Sequence, residues 1–163
     1  MSAHAAYTIS QWTSAERHDD IMAMVHAAFG EFQPPSSVLN ETAADLAARQ
    51  RDSVVLVAQT GGEFIGSVFC APKGDALYLT RLAAAPRWRK AGVGGALLQA
   101  AEAQARELGA KRLTIRVRVT LPGNLAYFKR AGFIETGTGQ DPGRTPYITM
   151  ERVLGVSPPR AAQ

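Results

Sequence analysis

The chain has 163 residues, 46% of them hydrophobic and 20% charged. Such a composition suits one globular domain that buries a core without disulfide or metal, and it excludes disordered, collagen-like and low-complexity classes. The net charge is +4, but no basic stripe interleaved with aromatics occurs, and only Lys73, Lys90, Lys111 and Lys129 are lysines among 18 basic residues; an Arg-rich balance of this kind points to a phosphate-bearing small ligand rather than a nucleic acid.

Met1 to Ser10 carry neither a basic nor an apolar leader pattern, and no stretch approaches the roughly 18 apolar residues that span a bilayer, so a cytoplasmic protein without membrane contact is expected. Tyr7, Ile9 and Gln11 alternate with polar neighbours and predict a first strand. Thr13-Ser14-Ala15-Glu16 has the spacing of a capping box and predicts the start of a helix with Ile21, Val25, Ala28 and Phe29 on its apolar face, stopped at Gly30. Residues 31–40, with Pro34-Pro35-Ser36-Ser37, read as a loop. A second helix is expected over residues 41–50, with Leu39, Ala43, Leu46 and Ala47 on one face.

Residues 53–60 and 64–71 predict two strands joined by the Gly61-Gly62 turn; Pro72-Lys73-Gly74-Asp75 predicts a second turn, and residues 76–84 a third strand. The single cysteine, Cys70, excludes an internal disulfide and any multi-cysteine metal site, and within Val68-Phe69-Cys70-Ala71 it reads as a buried structural thiol. After Pro86 a glycine-bearing segment opens a long helix carrying Val93, Leu97, Ala100, Ala101 and Leu108, closed by Gly109. Leu113, Ile115, Val117 and Val119 alternate with Thr114, Arg116 and Arg118 and predict a strand. Pro122-Gly123-Asn124 starts a short helix ending at Gly132; residues 133–138 and 147–153 predict a terminal hairpin across a loop at 139–145. The expected fold class is mixed α/β, with a mostly antiparallel central sheet of about six to seven strands flanked by about four helices. Residues 1–154 are expected to form one domain and residues 155–163 a mobile tail.

Chemistry concentrates in residues 79–98. A strand and a tight turn lead into a helix whose first turn, Val93-Gly94-Gly95, lacks large side chains. Helix-start N–H groups point outward with partial positive charge, and Gly92 and Gly94 let a phosphate approach them, with Arg87, Arg89 and Lys90 at the same mouth. The plain alternative is a turn whose glycines only permit strand-to-helix packing. A P-loop is excluded because Ala96 follows Gly94-Gly95 where Lys-Ser/Thr would be needed, and a dinucleotide fingerprint because Leu97 stands where its third glycine belongs.

Arg89-x-x-Gly92-x-Gly94, after a strand ending Leu82-Ala83-Ala84-Ala85-Pro86, resembles the acyl-CoA motif of the GNAT family of N-acetyltransferases, Gln/Arg-x-x-Gly-x-Gly/Ala. Tyr127-Phe128-Lys129-Arg130-Ala131-Gly132-Phe133 resembles that family's helix-to-Gly-Phe ending, and Tyr147-Ile148-Thr149-Met150-Glu151 its last strand. The likeness covers roughly residues 7–153. It implies an acetyl-CoA-dependent N-acetyltransferase, with acetyl-CoA as acyl donor and no metal. Leu82, Ala83 and Ala84 would border the pantetheine arm, and N–H groups from Arg89 through Lys90, Ala91, Gly92, Val93, Gly94 and Gly95 would hold the pyrophosphate. The two strands ending at Ala84 and starting at Leu113 would splay to admit the thioester, and an amine would attack it directly, with the N–H of Leu82 or its neighbour as oxyanion donor.

The sequence also departs from the pattern. Many members place a Tyr acid four residues before the Gly of Gly-Phe; here that place is Phe128, which would border the cofactor, with Tyr127, the candidate acid or else a packing aromatic, adjacent but about 100° away around the helix. Where members resembling ribosomal-protein alanine acetyltransferases keep a Glu base, this chain has Arg116; where histone-type members keep theirs, it has Tyr78, a poor base near its usual pKa of about 10. Asn124, which contacts CoA or only starts its helix, corresponds to the family's Asn unless Leu121 takes that place. Glu31 or Glu41 acting through water, or as plain exposed carboxylates, remain alternatives. The implied partner is a small-molecule amine, with a homodimer left open. Phe29, Phe32, Arg116, Arg118 and Tyr147 are candidate acceptor liners. Arg116 and Arg118 share a strand face and either read a substrate carboxylate or phosphate, or form a solvated face or a CoA contact. A non-catalytic acyl-CoA-binding module and a protein or peptide N-acetyltransferase are the rival readings.

Overall fold

In the computed structural model, which describes residues 6–155, strands β2 (Val54–Thr60), β3 (Glu63–Lys73) and β4 (Ala76–Ala84) follow one another through two tight turns. Ahead of them lie β1 (Thr8–Gln11), α1 (His18–Phe29) and α2 (Ala43–Asp52). Behind them lie α3 (Val93–Glu107), β5 (Arg112–Arg118), α4 (Pro122–Arg130), β6 (Ile134–Gly139) and β7 (Tyr147–Val153). One seven-stranded sheet results, in the order β1-β2-β3-β4-β5-β7-β6. Every pair is antiparallel except β4 with β5.

The centre of the sheet, at β2 and β3, is buried on both faces, whereas the edge strand β6 is almost wholly exposed. Side chains alternate along a strand, so Val55 and Val57 of β2 enter one core with Ile21, Val25 and Leu46 of α1 and α2. Leu56 and Ala58 enter the other with Val93, Leu97 and Ala101 of α3 and Phe128 of α4. Cys70 lies in this second core, as expected, and burial pushes its thiol up to about 12. α3 crosses β3 over Gly66, where a Cβ would come within 2.8 Å of the Val93 side chain and 2.9 Å of the Ala83 carbonyl oxygen.

Some local expectations shift. Thr13 to Glu16 does not cap α1: the Ser14 hydroxyl accepts the Glu16 N–H locally, and α1 starts at His18 behind Arg17, a left-handed residue without a side-chain cap. The capping box belongs to α2, where Thr42 and Asp45 satisfy each other's N–H groups. β3 runs on through Pro72 and Lys73, leaving Gly74-Asp75 as the turn. Leu108 lies beyond the last turn of α3 and Val119 beyond β5, and both are exposed, not core.

Candidate active site

The parallel pairing of β4 with β5 is short: Ala76, Leu77 and Tyr78 face Arg112, Leu113 and Thr114, and beyond that point the strands diverge. A bulge in β4 accompanies the divergence. Ser67 pairs with Ala83 and Phe69 with Thr80, so Arg81 and Leu82 both stand opposite Val68. Arg81 takes the left-handed conformation, φ 51°.

Three groups hold this strained turn. The buried Ser67 hydroxyl donates to the Arg81 carbonyl at 2.9 Å, supplying the partner that the bulge removes from the ladder. The Arg81 guanidinium donates two bonds to the Glu41 carboxylate, at 2.8 and 2.6 Å. Arg49 donates a third at 3.0 Å. Past the bulge, the Ala85 N–H donates to the Ile65 carbonyl of β3. Strand alternation therefore turns the N–H groups of Ala84 and Leu82 the other way, into the splay.

On the α3 side of the splay is a slot of about 470 Å³ lined by Leu82, Ala83, Ala84, Arg89, Lys90, Gly92, Val93, Gly94, Gly95, Asn124, Tyr127 and Phe128, with Trp88. Gly92 caps α3 with φ 85°. The first bond of α3 runs from the Ala96 N–H to the Gly92 carbonyl, so the N–H groups of Val93, Gly94 and Gly95 precede the helical ladder and face outward. Val93 offers only its backbone, because its side chain is in the core. A Cβ built at Gly94 would stand 3.8 Å from the Tyr127 hydroxyl, and one at Gly95 3.9 Å from it. Tyr127 thus stands over the glycines, and burial raises its pKa. Phe128 packs edge-on against Tyr127 and Phe133 and forms part of the floor.

Two residues of the expected cradle lie elsewhere. Arg87 is drawn off to an exposed ion pair with Glu63 at the start of β3, and Ala91 packs against the core instead of lining the slot. The N–H groups of Arg89 and Ala91 are taken by the Pro86 and Trp88 carbonyls. The Arg89 side chain reaches Glu31 and the Ala28 carbonyl, both at 3.0 Å.

On the other side of the splay is a cavity of about 1060 Å³ walled by residues 34–37, 39–40 and 141–145, with Tyr78, Arg81, Arg116, Arg118 and Tyr147. Phe29 and Phe32 lie apart from it, around a smaller hollow beside Leu82–Ala84. Tyr78 is at the fork itself. Burial raises its pKa and the charges of Arg116 and Arg81 offset only part of that, so its phenol keeps its proton and is no base at neutral pH. Glu41 is not an exposed carboxylate: it is held by two arginines at the back of the bulge. Sequence reasoning missed Ser67, Arg81 and the Glu41 pairing, because Ser67 and Glu41 reach Arg81 across 14 and 40 residues, and no local signal marks the bulge.

Residues 11–133 match the model of the acetyltransferase (GNAT) family. A relative from Bacillus subtilis (strain 168), described as the uncharacterized N-acetyltransferase YhfO, is 36% identical over an alignment of 96 residues that covers 54% of this chain and 64% of that one. The match therefore spans less than two thirds of the relative's length. The fold is similar to that of the PaiA N-acetyltransferase from Thermoplasma acidophilum in complex with coenzyme A, with a TM-score of 0.77, 16% identity and coverage of 91% of this chain and 99% of that chain. It is also similar to a GNAT family acetyltransferase from Elizabethkingia anophelis with acetyl-CoA bound, with a TM-score of 0.71, 20% identity and coverage of 91% and 98%.

Proposed function

Since the chain belongs to the acetyltransferase (GNAT) family, we propose that it binds acetyl-CoA in the slot between β4 and α3 and transfers the acetyl group to an amine entering from the arginine-lined cavity. One observation carries this reading: the β4–β5 splay opens at a bulge whose N–H groups face it, with an unladdered helix start lining the same slot.

Acetyl-CoA supplies a thioester, and direct attack by the amine would form the C–N bond, break the C–S bond and release CoA thiol. The N–H groups of Val93, Gly94 and Gly95 hold the pyrophosphate, where small residues admit it to the backbone. The edge of β4 at Leu82 and Ala84 takes the pantetheine arm as an added strand. The N–H of Leu82 donates to the developing oxyanion, held in place by the clamp of Ser67, Arg81 and Glu41. Tyr127 sits at the phosphate end, so its hydroxyl serves the cofactor rather than the sulfur, and the departing thiolate takes its proton from the ammonium it leaves behind or from water. Catalysis then rests on orientation, which contributes about 7 to 11 kcal/mol in well-aligned reactions. The Glu of some members is replaced by Arg116, and this favours a second reading, a non-catalytic acyl-CoA-binding module. Thiol release from acetyl-CoA across a panel of amines separates the two: turnover with any amine supports the enzyme, while tight CoA binding without turnover supports the module.

A further inference from the structure

Resting on the reading above, we propose that the acceptor is a small amine that also carries an oxyanion, carboxylate or phosphate, and that Arg116 binds that oxyanion. The cavity on the acceptor side is strongly cationic. Arg81, Arg116, Arg118 and Arg144 line it against one carboxylate, Asp141. Arg81 is neutralised by Glu41 behind the bulge. Arg118 is turned to the loop wall, donating to the carbonyls of Pro34 and Pro35 and lying over Phe32. Arg116 differs from both. Among the described residues its partners are two aromatic faces, Tyr147 with its ring centroid 4.5 Å away and Tyr78 with its centroid 5.6 Å away, and it pairs with no carboxylate.

A guanidinium seated on ring faces keeps its in-plane N–H donors for something else, and those donors fit a carboxylate or phosphate two at a time. Stacking also fixes the side chain in advance, so less freedom is lost on binding. Its place suits the task. Thr114 is the last β5 residue paired with β4; Arg116 is the next residue on that strand face, about 7 Å further along. An oxyanion on Arg116 leaves an amine a few bonds away facing the splay. The same positive field disfavours the ammonium form of that amine and so favours the uncharged nucleophile that the reaction needs. A polycationic acceptor would meet repulsion from the same wall.

The test is steady-state kinetics with acetyl-CoA on matched acceptors that share the amine: an amino acid against its amide, and O-phosphoethanolamine against ethanolamine. The charged member of at least one pair should show kcat/KM higher by about thirtyfold or more, carried by KM, and the pair that shows it separates carboxylate from phosphate. Arg116→Gln should reduce that preference to less than threefold by raising KM for the charged member, and Arg116→Lys should restore only part of it. Calorimetric titration of the charged amine into CoA-saturated protein should show the same loss without turnover. Equal use of both members of each pair, a preference that survives Arg116→Gln, or better acetylation of an acidic peptide than of either small pair overturns the proposal. Failure to bind CoA removes the proposed function instead; titration of the charged amine into the CoA-free parent and Arg116→Gln proteins then decides, with saturable binding lost in the variant as support and no binding as refutation.

Discussion

The slot and the cavity on the two sides of the β4–β5 splay are made of different material. The slot is largely backbone: alanines and glycines between Leu82 and Gly95, with Trp88, Arg89 and Lys90 beside them and Asn124, Tyr127 and Phe128 from α4. The cavity is side chain: arginines and tyrosines from β4, β5, β7 and two loops. A backbone surface suits a ligand that stays the same across a family, because an N–H group does not change when residues do. A side-chain surface suits a ligand that varies. The cofactor side should therefore break on adding a side chain, and the acceptor side on removing one.

The largest effect is expected from Gly94→Val. Its branched side chain would project toward the Tyr127 hydroxyl and fill the slot. Losing two charge-assisted contacts lowers CoA affinity about a hundredfold or more, while the thermal melt shows a folded protein. Arg89→Ala should weaken CoA by about tenfold or less, since that side chain is already held by Glu31 and Ala28 and contributes as one partly exposed charge. Calorimetry on both variants checks the contrast.

Glu41→Gln probes the link between the two sides. It leaves the Arg81 and Arg49 guanidinia without their carboxylate at a site that is mostly buried, at a cost of about 2 kcal/mol in stability. Because Arg81 is in the bulge, kcat should fall more than the affinity for CoA. A denaturant titration and the kcat-to-KM split check this; loss of CoA binding with kcat unchanged would show that the clamp serves the cofactor alone.

Smaller still is Tyr127→Phe, which should lower turnover less than tenfold and act mainly on the KM for acetyl-CoA, because the hydroxyl stands over Gly94 and Gly95. A drop of about a hundredfold or more in kcat, the scale of a lost general acid, would make Tyr127 the acid. Phe128→Tyr should keep or raise activity, as the slot already holds a ring there.

The least effect comes from Cys70, which is fully buried with its pKa raised to about 12. The unfolded thiol ionises near pH 8.5, so the stability that this burial provides is complete below that pH and is lost as the pH rises toward 12. Iodoacetamide at pH 8 should leave native Cys70 unmodified and label it in denaturant; prompt labelling of native protein contradicts the buried placement.

What the sequence made legible follows the same division. Glycines at 92, 94 and 95 and the strand before them are neighbours in the chain, so their spacing predicts the helix start, whereas the slot beside it is what the family resemblance implies. The order of strands and helices was legible for the same reason, since hairpin turns such as Gly61-Gly62 act between adjacent residues. The bulge was not, because Arg81 is held by Ser67 and Glu41, 14 and 40 residues away. Nor was the true start of α1: Thr13 to Glu16 has the spacing of a cap, but Gln50 donates to the Trp12 and Ser14 carbonyls and Arg17 lies over Phe64, tertiary contacts that outweigh a local preference. Alternation places Arg116 and Arg118 on one face, but what tells them apart is distant in the chain: Tyr78 and Tyr147 under Arg116, and the Pro34 and Pro35 carbonyls that hold Arg118.

Backbone amide shifts followed by NMR during two successive titrations test the division most directly. CoA should move the amides of Leu82, Ala84, Val93, Gly94 and Gly95 and leave Arg116, Arg118 and Tyr147 nearly still; the charged amine, added next, should move the second group. Shifts centred on the arginines when CoA is added, with the glycine amides unmoved, would contradict the account.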